Sequence, residues 1–260
     1  VPAFAPVSLA DALVAAQVTP ALVDIDPISF CISAEAVYRF VTTDCAMHAG
    51  SLRNKRTGGR VRALCTMHRF GQMAEMDALM MVARQVNMLL VEDASEAIGA
   101  RDSHRHMAGS HGDVAFWVDT ALGNATIDQA SPPLDAECES RVLAARHYAE
   151  AFALHDLARW CTLPALSSPR AQHVFSSYVI RVARRAELLA FLEARDLRVE
   201  MRDPIPLHLL PEFQRLNRQA GDFPQAERAA AESLALPIAP GIERAYAQRV
   251  VAMIADFYAT

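Results

Sequence analysis

Few residues in this chain are equipped for chemistry, and their spacing says what each could do. Of 25 basic side chains only Lys55 is a lysine. Chemistry that needs a primary amine, a Schiff base with a carbonyl above all, must use that residue. Its neighbours Arg53, Asn54, Arg56, Thr57, Gly58 and Gly59 are polar and aperiodic, which predicts a solvated loop. Catalytic amines are usually desolvated so that they lose their proton more readily, and this segment offers no such surroundings. Asp93 closes the apolar run MLLVED, and the carboxyl end of a strand is where open α/β sheets hold ligands; the other reading is an Asp that caps a strand or a following helix. His104, His106 and His111 in SHRHMAGSH invite a metal, but the reading finds no acidic or cysteine ligand with them, so an exposed hairpin without metal is expected. His68 precedes a tight turn and is read as a packing histidine, and His208 sits in PLHL. The five cysteines, Cys31, Cys45, Cys65, Cys138 and Cys161, form no Cys-x-x-Cys pair, which argues against a zinc cluster or a disulfide framework and for a reducing cytoplasm.

These residues need elements to position them. Residues 9–18 carry apolar positions at helical spacing, and ALVDID (21–26) is a short β-prone run closed by Pro27. Ala34 to Val41 is helix-prone, and Thr42 to Arg60 reads as an exposed loop. VRALCTM (61–67), MAEMDALMMVARQV (73–86) and MLLVED (88–93) read as strand, amphipathic helix and strand, which implies a right-handed parallel crossover. Met73, Met76, Met80 and Met81 recur at helical spacing and are assigned to core packing. DVAFWV (113–118) is a third strand, after which GNATIDQASPPLD breaks regularity. Beyond it come a long helix over 136–157, a strand over 177–182, a helix over 184–196 and a last helix from about Ala245 to Tyr258. The domain boundary is therefore placed at 130, with a shortened large domain over 1–130 and a small α+β domain over 131–260.

A chain of 260 residues, 52% of them hydrophobic, can bury one large or two modest cores. A net charge of −5 with dispersed acidic residues gives no footprint for nucleic acid or an anionic membrane. No apolar run reaches the roughly 20 residues that span a bilayer, and the start at Val1 shows no secretory signal, so a cytoplasmic protein is expected.

In order along the chain, VPAF, ALVDIDP, HRFGQMAEMD (68–77), VEDASEAIGA (91–100) and GSHGDVAF (109–116) resemble the DegT-type nucleotide-sugar aminotransferases. The resemblance continues through SSYVIRVARRAELLAFLEAR (176–195), PIPLHLLPEF (204–213) and GDFPQAERAAAESLALPIAP (221–240). It implies a pyridoxal-phosphate-dependent fold type I architecture, α/β with a mostly parallel mixed sheet in the large domain, plus a small C-terminal α+β domain. It also implies a dimer with the active site at the shared interface.

Position by position, the resemblance keeps part of that machinery. Asp93 matches the carboxylate that holds the pyridine nitrogen protonated. The lysine of the family motif Ser-Phe-His-Pro-Ser-Lys-Asn-Leu-Gly falls on Thr120, or on Ala121 if one residue is deleted, and neither can form an aldimine. Asp119 falls where the family has a hydroxyl that donates to the phosphate, and a carboxylate there sets like charges together. Glu96 stands in place of the Gln or His of the Asp-Ala-Ala-Gln-Ala motif, and Pro6 in place of an aromatic ring. The family's Gly-Thr phosphate loop would precede VPAF, and a long stretch between Gly123 and Leu134 is missing by comparison. His208 falls in the segment that touches substrate in the family, although Met201-Arg202-Asp203 before it departs from the pattern. The basic loop around Lys55 is read as solvated, with contact to a nucleotide-sugar diphosphate as the other possibility.

The expectation is thus a sugar aminotransferase-like protein, impaired or inactive as a transaminase. It would act as a non-catalytic or auxiliary subunit in a homodimer, or in a heterodimer with a complete paralogue, with pyridoxal phosphate not held covalently, or not bound at all. The alternative is an enzyme using pyridoxal or pyridoxamine phosphate, an aminotransferase or dehydratase, on a nucleotide-linked keto sugar in polysaccharide or antibiotic sugar biosynthesis. A nucleotide-sugar binding module without chemistry, or a decayed gene product, is the remaining possibility.

Overall fold

Alternation of apolar strands with amphipathic helices builds the N-terminal half around a parallel ladder. The computed structural model describes residues 1–119, 124–126, 135–166 and 169–259. Helix α1 (Val7–Ala15) ends where Gln17 turns left-handed at φ 54°. The β-prone run ALVDID does not become a strand. It makes two single bridges, Pro2 with Val23 and Ile25 with Ile32, because Pro27 and the turn built on Asp26 Oδ1 stop the pairing at once.

Ser33 caps helix α2 (Ala34–Arg39), its hydroxyl accepting from Ala36 N at 3.1 Å. The helix widens into a π-turn over Phe40–Asp44, where Thr42 and Thr43 hydroxyls donate to carbonyls of Tyr38 and Arg39 at 2.9 and 2.6 Å. The exposed loop expected over 42–60 is instead a β-hairpin in its first part, β1 (Cys45–His48) against β2 (Ser51–Asn54). Ala49 and Gly50 both take positive φ, as a tight two-residue hairpin turn requires, and buried Cys45 and Leu52 fix one face.

Strands β3 (Ala63–Met67) and β4 (Leu89–Asp93) flank helix α3 (Met76–Gln85) and pair in parallel, from Ala63↔Leu89 to Met67↔Asp93. β5 (Val114–Asp119) continues the parallel ladder on β4, and β6 (Asn124–Thr126) closes it antiparallel. Met73 and Met76 enter the core as expected, but Met81 is 59% exposed, since it lies on the outer face of α3. The helix α4 (Asp135–Ala153) packs on the last helix of the chain. The expected boundary at 130 lies outside the described residues.

The C-terminal half holds a three-stranded antiparallel sheet, β7 (Cys161–Thr162), β8 (Tyr178–Val182) and β9 (Ser233–Leu236). Helices α5 (Arg185–Glu193), α6 (Pro224–Glu232) and α7 (Arg244–Ala259) complete it. Among the described residues, buried side chains form three apolar clusters. One gathers Leu64, Leu79, Val82 and Leu90; a second Tyr148, Ile180, Leu188, Val250 and Ile254. The third joins Phe4, Ile25 and Phe70 to Val179, Leu207, Phe213 and Ala226, so residues from both ends of the chain share one core. Among the described residues no helix is long and apolar enough to cross a membrane.

Candidate functional site

The parallel ladder delivers Asp93 to the carboxyl end of β4, opposite Met67 on one side and Phe116 on the other. The residue is 5% exposed, and its Oδ1 accepts from Ser95 N at 2.9 Å. Burial pushes its carboxyl above the usual range, and the charge of Glu96 adds to this; donation from Ser95 pulls the other way. A buried acid of this kind is held against its preference for water, and a cation or protonated ring nitrogen beside it would relieve the cost.

Its neighbour Glu92 points to the opposite face of the ladder and is fully buried. His68 Nε2 lies 3.0 Å from its Oε1, while His111 N and Gly112 N donate to Oε2 at 3.0 and 2.8 Å and Gly109 N donates to Oε1. Burial opposes ionisation of Glu92, but the His68 contact and these amides outweigh it and hold the carboxyl at about 2. His68 Nδ1 accepts from Ala74 N at 3.1 Å, so the ring proton sits on Nε2 and donates to Glu92. His68 is thus the packing histidine that its sequence context predicts.

Glu96 departs furthest from a ligand-contacting role. Its Oε1 accepts from Arg69 Nη1 at 3.0 Å and Arg202 Nη2 at 3.3 Å, and its Oε2 from Phe70 N at 3.1 Å. Arg69, 1% exposed, also donates through Nη2 to Asp203, and its guanidinium lies 4.4 Å from the Phe70 ring centroid and 5.3 Å from that of Phe4. Burial works against the Arg69 charge, but Glu96 and Asp203 outweigh it. This cluster has no signature in the linear chain. Arg69 stands between His68 and Phe70 in a turn, and Asp203 comes from the other half of the chain; the one available signal is an acid at 96 between Ala94 and Ala97, which calls for a cation if it is buried.

The remaining candidates lie elsewhere. Lys55 is exposed in the turn after β2, its Nζ donating to Thr43 O at 2.6 Å, as expected of a solvated lysine. Arg56 from the same turn donates to Leu216 O at 3.1 Å. His208 is buried against Phe223, ring centroids 4.9 Å apart, with Nε2 3.1 Å from Glu227 Oε1, and burial lowers its pKa despite Glu227. No polar contact links it to Asp93 or Glu96. Asp119 ends β5 opposite Asn124, but its side chain, and all of Thr120 and Ala121, lie outside the described residues. His111 is not exposed as expected: only 5% of its side chain reaches solvent, and Asp102, an acidic partner not expected from the sequence, lies 3.0 Å from its Nε2.

A parallel ladder with a buried carboxylate at a strand end, joined to an antiparallel α+β half, defines a protein of the fold type I aminotransferase class. Solved structures agree on the fold: an aminotransferase from Brucella abortus superposes with a TM-score of 0.81 at 20% identity, covering 100% of this chain and 79% of that one. The Streptomyces venezuelae enzyme DesV, solved with a ketimine intermediate, superposes with a TM-score of 0.79 at 25% identity, covering 99% of this chain and 77% of its own. Residues 1–117 and 119–255 match the DegT/DnrJ/EryC1/StrS aminotransferase family, and the chain belongs to it.

Among curated relatives, a pleiotropic regulatory protein of Geobacillus stearothermophilus is 29% identical over 98% of this chain and 77% of its own length. That alignment runs over 306 residues, so the relative carries residues that this 260-residue chain lacks. The dTDP-3-amino-3,4,6-trideoxy-alpha-D-glucose transaminase of Streptomyces venezuelae is 27% identical over 76% of this chain and 64% of the enzyme. The match therefore spans less than two thirds of that transaminase.

Pyridoxal phosphate needs an acid for the ring nitrogen, an amine for the aldehyde and donors for the phosphate. Asp93 fits the first. Nothing fits the second, because the one lysine is tied to Thr43 O in an exposed turn. The Glu96 carboxylate is already engaged by two arginines and an amide. The residues present fit the ring-nitrogen half of the group and not the aldehyde half.

Proposed function

We propose that this member of the sugar aminotransferase family does not transaminate unaided and serves as a non-catalytic or auxiliary subunit, in a homodimer or with a complete paralogue. One observation carries the reading: no lysine stands beside Asp93, since the only lysine lies in the exposed turn after β2. The Arg69–Glu96–Asp203 ion pairs support it, since they turn a motif position that contacts cofactor in the family into internal structure. Asp119, Thr120 and Ala121 are proposed as the altered phosphate and lysine positions, and His208 as a residue that has kept its place without a substrate role. The division into a large and a small domain near 130 is part of the same reading, as is a cytoplasmic setting.

Asp93 also favours a second reading, noncovalent binding of pyridoxamine phosphate, since its buried carboxyl suits a protonated ring nitrogen. Titration with pyridoxal phosphate followed by borohydride reduction and mass spectrometry tests both. No adduct should survive Lys55→Arg substitution except at the terminal amine, and no amino sugar should form from glutamate and dTDP- or GDP-linked keto sugars. A stable internal adduct, or turnover by the purified chain alone, would overturn the proposal; an absorbance shift with pyridoxamine phosphate and no adduct would favour the second reading.

A further inference from the structure

The loop between β4 and β5 folds around a carboxylate. Arg101 and Met107 bridge antiparallel, and Arg105 takes φ 71° in the turn between them. Asp102 Oδ1 accepts from His104 N and His106 N, both at 2.8 Å, which fixes the carboxylate plane. Its Oδ2 is left to face two imidazoles, His106 Nδ1 at 3.1 Å and His111 Nε2 at 3.0 Å. The three ligand atoms lie within 4.8 Å of one another. An ion bound at about 2 Å from each ligand wants ligand atoms roughly 3.3 Å apart in a tetrahedral array, so both carboxylate–imidazole pairs need open by only a few tenths of an ångström.

We infer that Asp102, His106 and His111 form a binding site for a divalent first-row transition ion, zinc foremost. Two imidazole nitrogens and one oxygen are borderline donors, which select such ions over magnesium or calcium. The amides on Oδ1 do what outer-shell partners do at metal sites: they orient the ligating carboxylate before the ion arrives. His111 Nδ1 is buried with no hydrogen-bond partner among the described residues, so Nε2 is the ring's only polar tie, and a metal there displaces one hydrogen bond and no other. A cavity of about 280 Å³ lined by Glu75, Asp77, Asp102 and Ser103 opens beside the carboxylate and gives an ion a path in. His104 Nε2 lies 3.2 Å from Asp77 Oδ2, both exposed, and water completes the coordination. The ion would clamp the 101–111 loop on itself, next to the amides that hold Glu92.

Calorimetric titration of the reduced full chain with Zn²⁺, and absorbance titration with Co²⁺, test the site. One equivalent should bind, and cobalt should show ligand-field bands of a nitrogen and oxygen site without thiolate charge transfer. His106→Ala, at an exposed position that leaves the fold intact, and His111→Asn should each weaken binding at least about tenfold, while His155→Ala at a distant exposed histidine should not. No one-equivalent binding, a thiolate band, or equal affinity in the His106 variant and the His155 control would each overturn the assignment.

Discussion

His173 shows how one side chain can set the acid sensitivity of this protein. Its ring stacks on Phe175 at 3.9 Å, its Nδ1 accepts from Phe175 N at 2.9 Å, and burial pushes its pKa from 6.5 down to about 3. The folded state therefore favours the neutral ring. Its contribution is complete above pH 6.5 and is lost as pH falls toward 3, at about 1.4 kcal/mol per pH unit, because the unfolded chain takes up the proton that the folded one refuses. His173→Asn keeps an acceptor for Phe175 N and cannot titrate. Urea unfolding at pH 7 and pH 5 should show a smaller loss of stability in that variant, by about 2 kcal/mol; equal losses would show that His173 does not titrate with folding. Neither His173 nor Asp102 stood out in the sequence, since burial of a lone histidine in a loop depends on what packs over it. Asp93 did stand out, because it ends an apolar run.

Among the elements, β3, α3 and β4 were legible because a strongly apolar strand, a 3.6-residue period and a second apolar strand each carry their own signal. The β1–β2 hairpin was not, since one exposed face and a polar turn imitate a loop, and only Cys45 and Leu52 are buried. ALVDID misled in the other direction: its β propensity is real, but Pro27 leaves no room for a ladder. The turn between β3 and α3 is fixed by Gly71, at φ +101°, whose missing Cβ would stand 2.5 Å from Phe175 N. Val174 N donates to Gly71 O at 2.9 Å, so this turn is also where the two halves of the chain meet backbone to backbone. Gly71→Ala should cost roughly 3 kcal/mol or more, strain plus displacement of that strap. Gly221→Ala has a similar φ, +97°, but open space around it, and should cost only about 1–2 kcal/mol. Comparable losses for the two in urea unfolding would remove the steric part of the argument.

Over the whole molecule, the Arg69 cluster ties sequence-distant segments together. Glu96 follows β4, Arg69 follows β3, and Asp203 and Arg202 arrive from the far half, over a core in which Phe4 and Phe70 meet Leu207 and Phe213. That convergence could not be read from a linear chain, because each member looks ordinary until its partners are known. Arg69 is buried, so removing one acid leaves its charge short of compensation, whereas removing charge on both sides does not. Asp203→Leu and Arg69→Met should each cost about 3 kcal/mol, with Glu96 and the aromatic faces of Phe4 and Phe70 limiting the damage in the first. The double variant should lose clearly less than the sum. A urea double-mutant cycle measures the difference directly. Additive losses would mean that Arg69 and Asp203 act independently, and the ion pairs could then no longer be read as one coupled unit that binds Glu96 into internal structure.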